Sequence, residues 1–393
     1  MAATSVFASL IAAALLTMGC ATVGPDLQAP DARFADAWQD AGSSGIGAGT
    51  TDNATWWKSF NDPVLDTLII EAYANNLDLE IAGLRVYEAR AMLGSASGDA
   101  TLEAAIASYD DSLLSLIADV ATGYVSLRTF QEQLAFVESN VALQKLSLGL
   151  AQERVRTSAR TELDIQQALA LLNRTQSSIP KLEYDIRRTM NALSVLLARR
   201  PGELNAILGG VGAIPTGPDR IETGLPADLL PRRPDVREAA LAASTQSVVS
   251  VTRRKERLRV QDARVQQRIG AYQLTVLRAA QEVEDALTGY LKARVDVAFR
   301  EASATASQRA ADLALDQYRD GAASYTIVLD TQRLLGRDQD QLTQARGRVA
   351  HNLIAAYRAM GGGWQLRIDQ PFVGEDVKTQ MRERTDWGEL LDR

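Results

Sequence analysis

The chain has 393 residues, 46% of them hydrophobic and only 6% aromatic, and it carries a net charge of −7 with a pI near 5.1. That acidic balance speaks against general nucleic-acid binding, which wants a basic face. The single cysteine, Cys20, and single histidine, His351, exclude an internal disulfide and metal clusters built from several cysteines or histidines.

Residues Val6 to Met18 form an apolar run ending at Gly19-Cys20. It is too short for a membrane span, which needs about 20 apolar residues, and suits the core of a secretory signal over residues 1–20. A small residue before a lone cysteine resembles a lipoprotein signal, with Cys20 lipidated. Residues 21–61 are rich in Gly, Pro, Asp, Ser and Ala and read as an N-terminal extended linker. Thr55 to Phe60 is an aromatic cluster suited to packing. Asp62-Pro63 then opens a helix, with the aspartate as N-cap and the proline at the first helical position. A second short helix follows Asn75-Asn76.

A long rod begins near Thr101. Its apolar residues, from Leu113 through Val120, Leu127 and Val141 to Leu148, keep three-four spacing, the mark of a coiled-coil seam. Gln131 occupies one expected apolar slot. Residues 157–161 turn the chain, and a return helix runs from Glu162 to Ala198 with Pro180 inside it, which predicts a kink. A Gly/Pro-rich connector over residues 201–231 separates this first repeat (62–200) from a second (232–363). Shifting the first hairpin by 163 residues lays it on the second without a gap, placing Ala135-Phe136 on Ala298-Phe299 and Arg174 on Arg337. Such self-similarity marks a duplicated supersecondary unit. Thr343 matches Pro180, so the second hairpin should bend differently. Residues 364–393 are a polar tail, equatorial or disordered. The expected class is all-α: two tandem hairpins of long coiled-coil helices.

Several stretches, in order along the chain, resemble the TolC-like outer-membrane efflux channel subunits, in the lipoprotein (OprM/NodT-like) branch of tripartite drug-efflux pumps. They are Gly24-Pro25-Asp26, Trp56 to Pro63, Val86 to Ala91, Arg232 to Arg237, Thr275 to Leu287 and Tyr357 to Trp364. The resemblance implies a homotrimer whose hairpins build a periplasmic α-barrel, with an equatorial belt, a membrane β-barrel and an acylated cysteine. It also implies a periplasmic adaptor protein and an inner-membrane RND pump as partners, and no cofactor. This chain departs from the pattern where the barrel strands would lie. A membrane strand needs about 9–11 residues, and the joins near residues 94–101 and 244–254 are too short to supply four. The barrel strands are absent, and both gaps remove nothing else, as a deliberate excision would, though a naturally truncated relative is the alternative. Outer-membrane attachment then rests on Cys20; without lipidation the chain would be soluble in the periplasm.

The family's aperture segment is similar to Tyr325 to Asp330. Asp330 matches its acidic ring, and Thr326 stands one turn earlier where leucine is common, with Tyr325 beside it. Around the turns, Arg156, Ser158, Arg160, Asp164, Arg319, Gly321 and Ser324 are candidates for contact with a neighbour or the adaptor; read from residues alone, these charges also suit a solvated turn. The sequence offers no nucleophile–base pair, phosphate loop or metal spacing, so an enzyme is not expected. Two functions stay open: the outer-membrane channel component of an RND-type efflux system, forming its periplasmic exit duct for small molecules, or a non-conducting coiled-coil lipoprotein that binds the adaptor.

Overall fold

A computed structural model describes residues 35–47, 49, 53–92, 98–157, 162–244 and 255–391. The proposed signal and Cys20 lie outside them, as do Ser158 and Arg160. Two short helices come first, α1 (Pro63–Asn75) and α2 (Leu77–Ala91). The Asp62 carboxylate accepts the backbone N–H groups of Val64 and Leu65 at 2.9 and 3.2 Å, and Asn76 caps α2 through Leu79. These bonds satisfy donors that a helix start otherwise leaves unpaired.

The first rod is α3 (Gly98–Thr157), and its return is split into α4 (Glu162–Gln176) and α5 (Ile179–Leu196). The break falls at Ser177-Ser178, just ahead of Pro180, whose ring and missing N–H forbid an unbroken turn there. After α6 (Pro234–Ser244), the second rod α7 (Lys255–Asp320) returns through α8 (Tyr325–Ala359), which carries Thr343 at that place and runs without interruption. The rods end at Thr157 and Asp320, the returns begin at Glu162 and Tyr325 and finish at Leu196 and Ala359, each pair 163 residues apart. At about 1.5 Å per residue the rods are roughly 90 to 100 Å long. One window of the helix over Thr101–Arg156 is long and apolar enough to cross a membrane, but 67% of it is buried inside this fold.

The helices pair in the order α4/α5, α3, α8, α7, and α7 makes no extended contact with α4/α5. The four form a wall one helix thick with two free edges, rather than a bundle around a filled centre. Two apolar clusters hold it. The larger gathers α1, α2, α3 up to Leu127, and the ends of α5, α7 and α8. The smaller sits at the turns, from Ala151 to Leu329. Between them the α3–α8 seam is polar: Gln133 donates to Asp340 at 2.6 Å and Asn140 to Gln339 at 2.8 Å. Gln131, the odd residue in the apolar pattern, is buried and donates to the Leu208 carbonyl at 2.6 Å.

One segment departs from expectation, and the tail takes the ordered one of its two expected states. The described part of residues 35–60 is packed, not an extended linker: Trp38, Ile46, Trp56, Trp57 and Phe60 are buried. Strand β1 (Ile46–Gly47) pairs in parallel with β2 (Ile221–Glu222), tying this segment to the connector. Gly47 and Gly49 leave room for the Glu222 carboxylate, which accepts the Gly49 N–H at 2.7 Å; a Cβ at either position would collide with it. Strand among the described residues is confined to this pair. The tail is ordered too, with α9 (Glu375–Arg384) and buried Phe372, Val373, Met381 and Leu391.

Charged pairs bolt tail and belt to the rods. Asp110 on α3 is fully buried and accepts Arg237 of α6 at 2.5 Å and Arg367 of the tail at 2.6 Å. Arg233 pairs with Asp235 at 2.8 Å and donates to the Ala359 carbonyl at 3.0 Å, closing the end of α8. Replacing Asp110 with Ala leaves two arginines facing a void that held their counter-charge, and we expect it to cost about 3 kcal/mol in denaturant unfolding. A loss below about 1 kcal/mol would show that the tail is held by its apolar contacts alone.

Candidate functional site

The turn end of the wall is organised by a pair of tyrosines. Tyr318, in the last turn of α7, and Tyr325, in the first turn of α8, meet edge to face with centroids 5.1 Å apart. Both are buried, among Ala151, Ala168, Leu171, Val328 and Leu329. The Tyr325 hydroxyl lies 3.2 Å from Ser147 Oγ on α3. Burial raises the Tyr325 pKa, opposed by the Ser147 hydrogen bond, so it stays a neutral phenol. Tyr325 is thus a packing residue joining the two hairpins, with its side chain buried rather than facing solvent.

Between Tyr318 and Tyr325 the chain reverses on Gly321, at φ +85°. Gly321 and Ala322 donate to the Tyr318 and Gln317 carbonyls at 3.1 and 2.8 Å, a left-handed helix cap that favours glycine. A Cβ there would also lie 2.9 Å from an Arg154 nitrogen. Gly321 therefore has a structural reason to be glycine. Ser324 stands exposed at the N-cap of α8 without capping it through its side chain.

Arg154, which the sequence reading passed over, links the hairpins. From the last turn of α3 its guanidinium donates to the Tyr318 carbonyl and lies over the Tyr318 ring, 4.8 Å from the centroid. A cation at the carbonyl end of a helix is favoured by the helix dipole and by the unpaired carbonyls of the last turn. No local pattern could reveal this contact, since its partner is more than 160 residues away and its neighbour Arg156 looks identical in sequence. Among the described residues, Arg156 is exposed and pairs with Glu153 at 2.7 Å, and Arg319 pairs with Asp316 at 3.1 Å. Both pairs stay on their own helix, and exposed pairs of this kind contribute little to stability. Asp164 is half-buried in the first turn of α4, near enough for its charge to bear on Tyr325.

Thr326 and Asp330 lie one turn apart on α8 and both are exposed. Among the described residues Asp330 pairs with Arg333 at 3.3 Å, both side chains exposed. Of the three sequence candidates for the aperture, these two face solvent together and Tyr325 does not join them. Among the described residues no group of three or more His, Cys, Asp or Glu side chains is placed to hold a metal.

The family model described as outer membrane efflux protein matches residues 95–199. The pyoverdine export outer membrane protein OpmQ of Pseudomonas putida is 26% identical, over 91% of this chain and 97% of its own. The cation efflux system protein CusC of Escherichia coli is 24% identical, over 90% of this chain and 97% of its own. The alignment to OpmQ runs over 464 positions, more than the 393 residues present here, so that relative carries segments this chain lacks. Among solved structures, the outer-membrane channel OprN superimposes with a TM-score of 0.80 at 25% identity, over 88% of this chain and all of that one. Fold, ordered signature stretches and near full-length similarity agree: the chain matches the outer membrane efflux protein family over residues 95–199 and is similar to TolC-like efflux channels along most of its length.

Proposed function

We propose that three copies of this chain close into the periplasmic exit duct of a tripartite efflux system for small molecules at the outer membrane. The observation that carries this reading is the open wall with unsatisfied edges. Along α7 the side chains of Leu277, Val295 and Phe299 are exposed by 64%, 56% and 74%. On the opposite edge Leu163, Tyr184 and Val195 are exposed by 60%, 62% and 69%. Apolar surface of this kind on two opposite edges of a long wall marks an association surface. Copies joined edge to edge in a head-to-tail ring cover all of it, and the export and efflux roles named for OpmQ and CusC fit the hollow that results.

In such a ring Asp330 occurs three times around the axis at the turn end, with Thr326 beside it. Carboxylates gathered at a constriction concentrate negative potential and favour cations. The Arg154–Tyr318 link holds the two hairpins of one chain together there, so its release would free them to spread. Arg156, Ser158, Arg160, Asp164, Arg319 and Ser324 are the surface offered to a periplasmic adaptor, which an inner-membrane pump would drive, and Cys20 is the proposed site of acylation. The short joins favour a second reading, a non-conducting lipoprotein that binds the adaptor, because the described residues include no lipid-spanning strands.

Sedimentation of the chain without its first 20 residues, in the absence of detergent, should give a trimer. Phe299→Glu should shift it toward monomer, since each buried phenylalanine is worth about 1.5–3 kcal/mol. A monomeric parent chain would remove the duct and leave the second reading. For the aperture, Asp330→Asn should abolish binding of a trivalent cation to the trimer and leave the melting temperature within about 1 °C, because the pair it breaks is exposed. Arg154→Ala should instead speed proteolysis at the turns; equal cleavage of variant and parent would show that the clamp does not hold the hairpins.

A further inference from the structure

Between the two apolar clusters, α4 and α5 part from α8 at the Ser177-Ser178 break and leave a groove of about 810 Å³ floored by α3. Its α4/α5 side carries Arg174 and Lys181, and its α8 side carries Arg333, Arg337 and Arg348. Only Asp185 and Asp340 oppose these five cations, in a chain that is acidic overall. Asp340 is already held by the amides of Gln133 and Gln344, at 2.6 and 2.9 Å. Arg333 leans on Asp330, and Arg348 on Asp296 at 2.8 Å. Arg174, Lys181 and Arg337 have no carboxylate partner among the described residues. His351, at one end, is kept neutral by burial.

Two further features make this a site rather than a charged surface. Arg174 and Arg337 are equivalent positions of the two repeats, so the duplication has set the same cation on both walls of one groove. Like charges facing across a concave space repel, and an anion between them reverses the sign of that interaction. Gln332 and Gln144 also line the groove at 2% and 5% exposure, and Gln332 Nε2 and Gln144 Oε1 have no hydrogen-bond partner. A buried amide donor left unpaired is costly, and the Gln332 donor is of the kind an anion accepts.

We propose that this groove binds a multivalent small anion, bearing phosphate or carboxylate groups, which bridges Arg174 and Lys181 on the first hairpin to Arg337 on the second. Guanidinium forks match both oxyanions in two-point geometry. The occupant links the kinked return to α8 across a groove whose floor and walls also carry Phe130, Val137 and Leu182. The site lies within one chain and stands whether or not the export reading does.

The test is calorimetric titration of the full chain with inorganic pyrophosphate and, separately, with citrate, at low and constant ionic strength. One saturable site per chain is expected for at least one probe, and the stronger of the two identifies the oxyanion. Arg174→Gln with Arg337→Gln should weaken it about tenfold or more, with helicity and sedimentation unchanged, while Arg309→Gln, exposed on α7 and away from the groove, leaves it intact. If the double variant does not fold, Lys181→Gln provides the same comparison with a smaller loss. Absence of saturable binding by both probes, or equal affinity in the groove variants, would overturn the assignment.

Discussion

A wall one helix thick has two faces and two edges, and a single chain of this kind cannot cover them all. That constraint governs the rest of the molecule. The middle helices α3 and α8 are covered on both flanks, and the outer ones, α7 and α4/α5, are covered on one. The seam between α3 and α8 explains why the wall stays flat enough to remain open. Its two apolar clusters lie toward the ends, and the stretch between adds paired amides and carboxylates. Such bonds fix register through geometry, and they contribute little net free energy each. The belt of short helices, connector and tail then braces one end, leaving the turns projecting beyond it.

The two ends are built by different means. At the belt, large aromatic groups interlock: Trp56 stacks on Tyr357 at 5.3 Å, and Phe372 meets Tyr87 and Tyr109 edge to face. Buried Asp110 gathers two arginines there, and Tyr124, whose pKa burial pushes up to about 12, donates to Asp62 at 2.8 Å. At the turns the cluster is smaller and one arginine spans the hairpins. The difference suits a fixed anchor at one end and a separable joint at the other.

Much of this architecture was legible because it repeats. The 163-residue offset located both rods, both turns and both returns, and Pro180 marked the place where the two returns diverge. Asp62-Pro63 was readable for a local reason, since a cap acts on residues two and three positions ahead. What escaped was non-local. Trp38 and the Ile46–Gly47 strand are buried by partners about 180 residues away, and a Gly-rich composition gives no sign of that. Tyr325 was placed with the aperture by its neighbours in sequence, while the helix phase turns it toward Ser147 and leaves Thr326 and Asp330 outside. Arg154 and Arg156 differ only in that phase: one reaches Tyr318 and the other solvent.

The claim on which everything functional rests is that the free edges find each other in copies of this chain. Electron microscopy of the detergent-free protein viewed down its long axis tests it most directly. The account predicts threefold rings of helices around an empty centre. Compact single particles with density throughout, in which α7 has folded back onto α4 and α5, would contradict it.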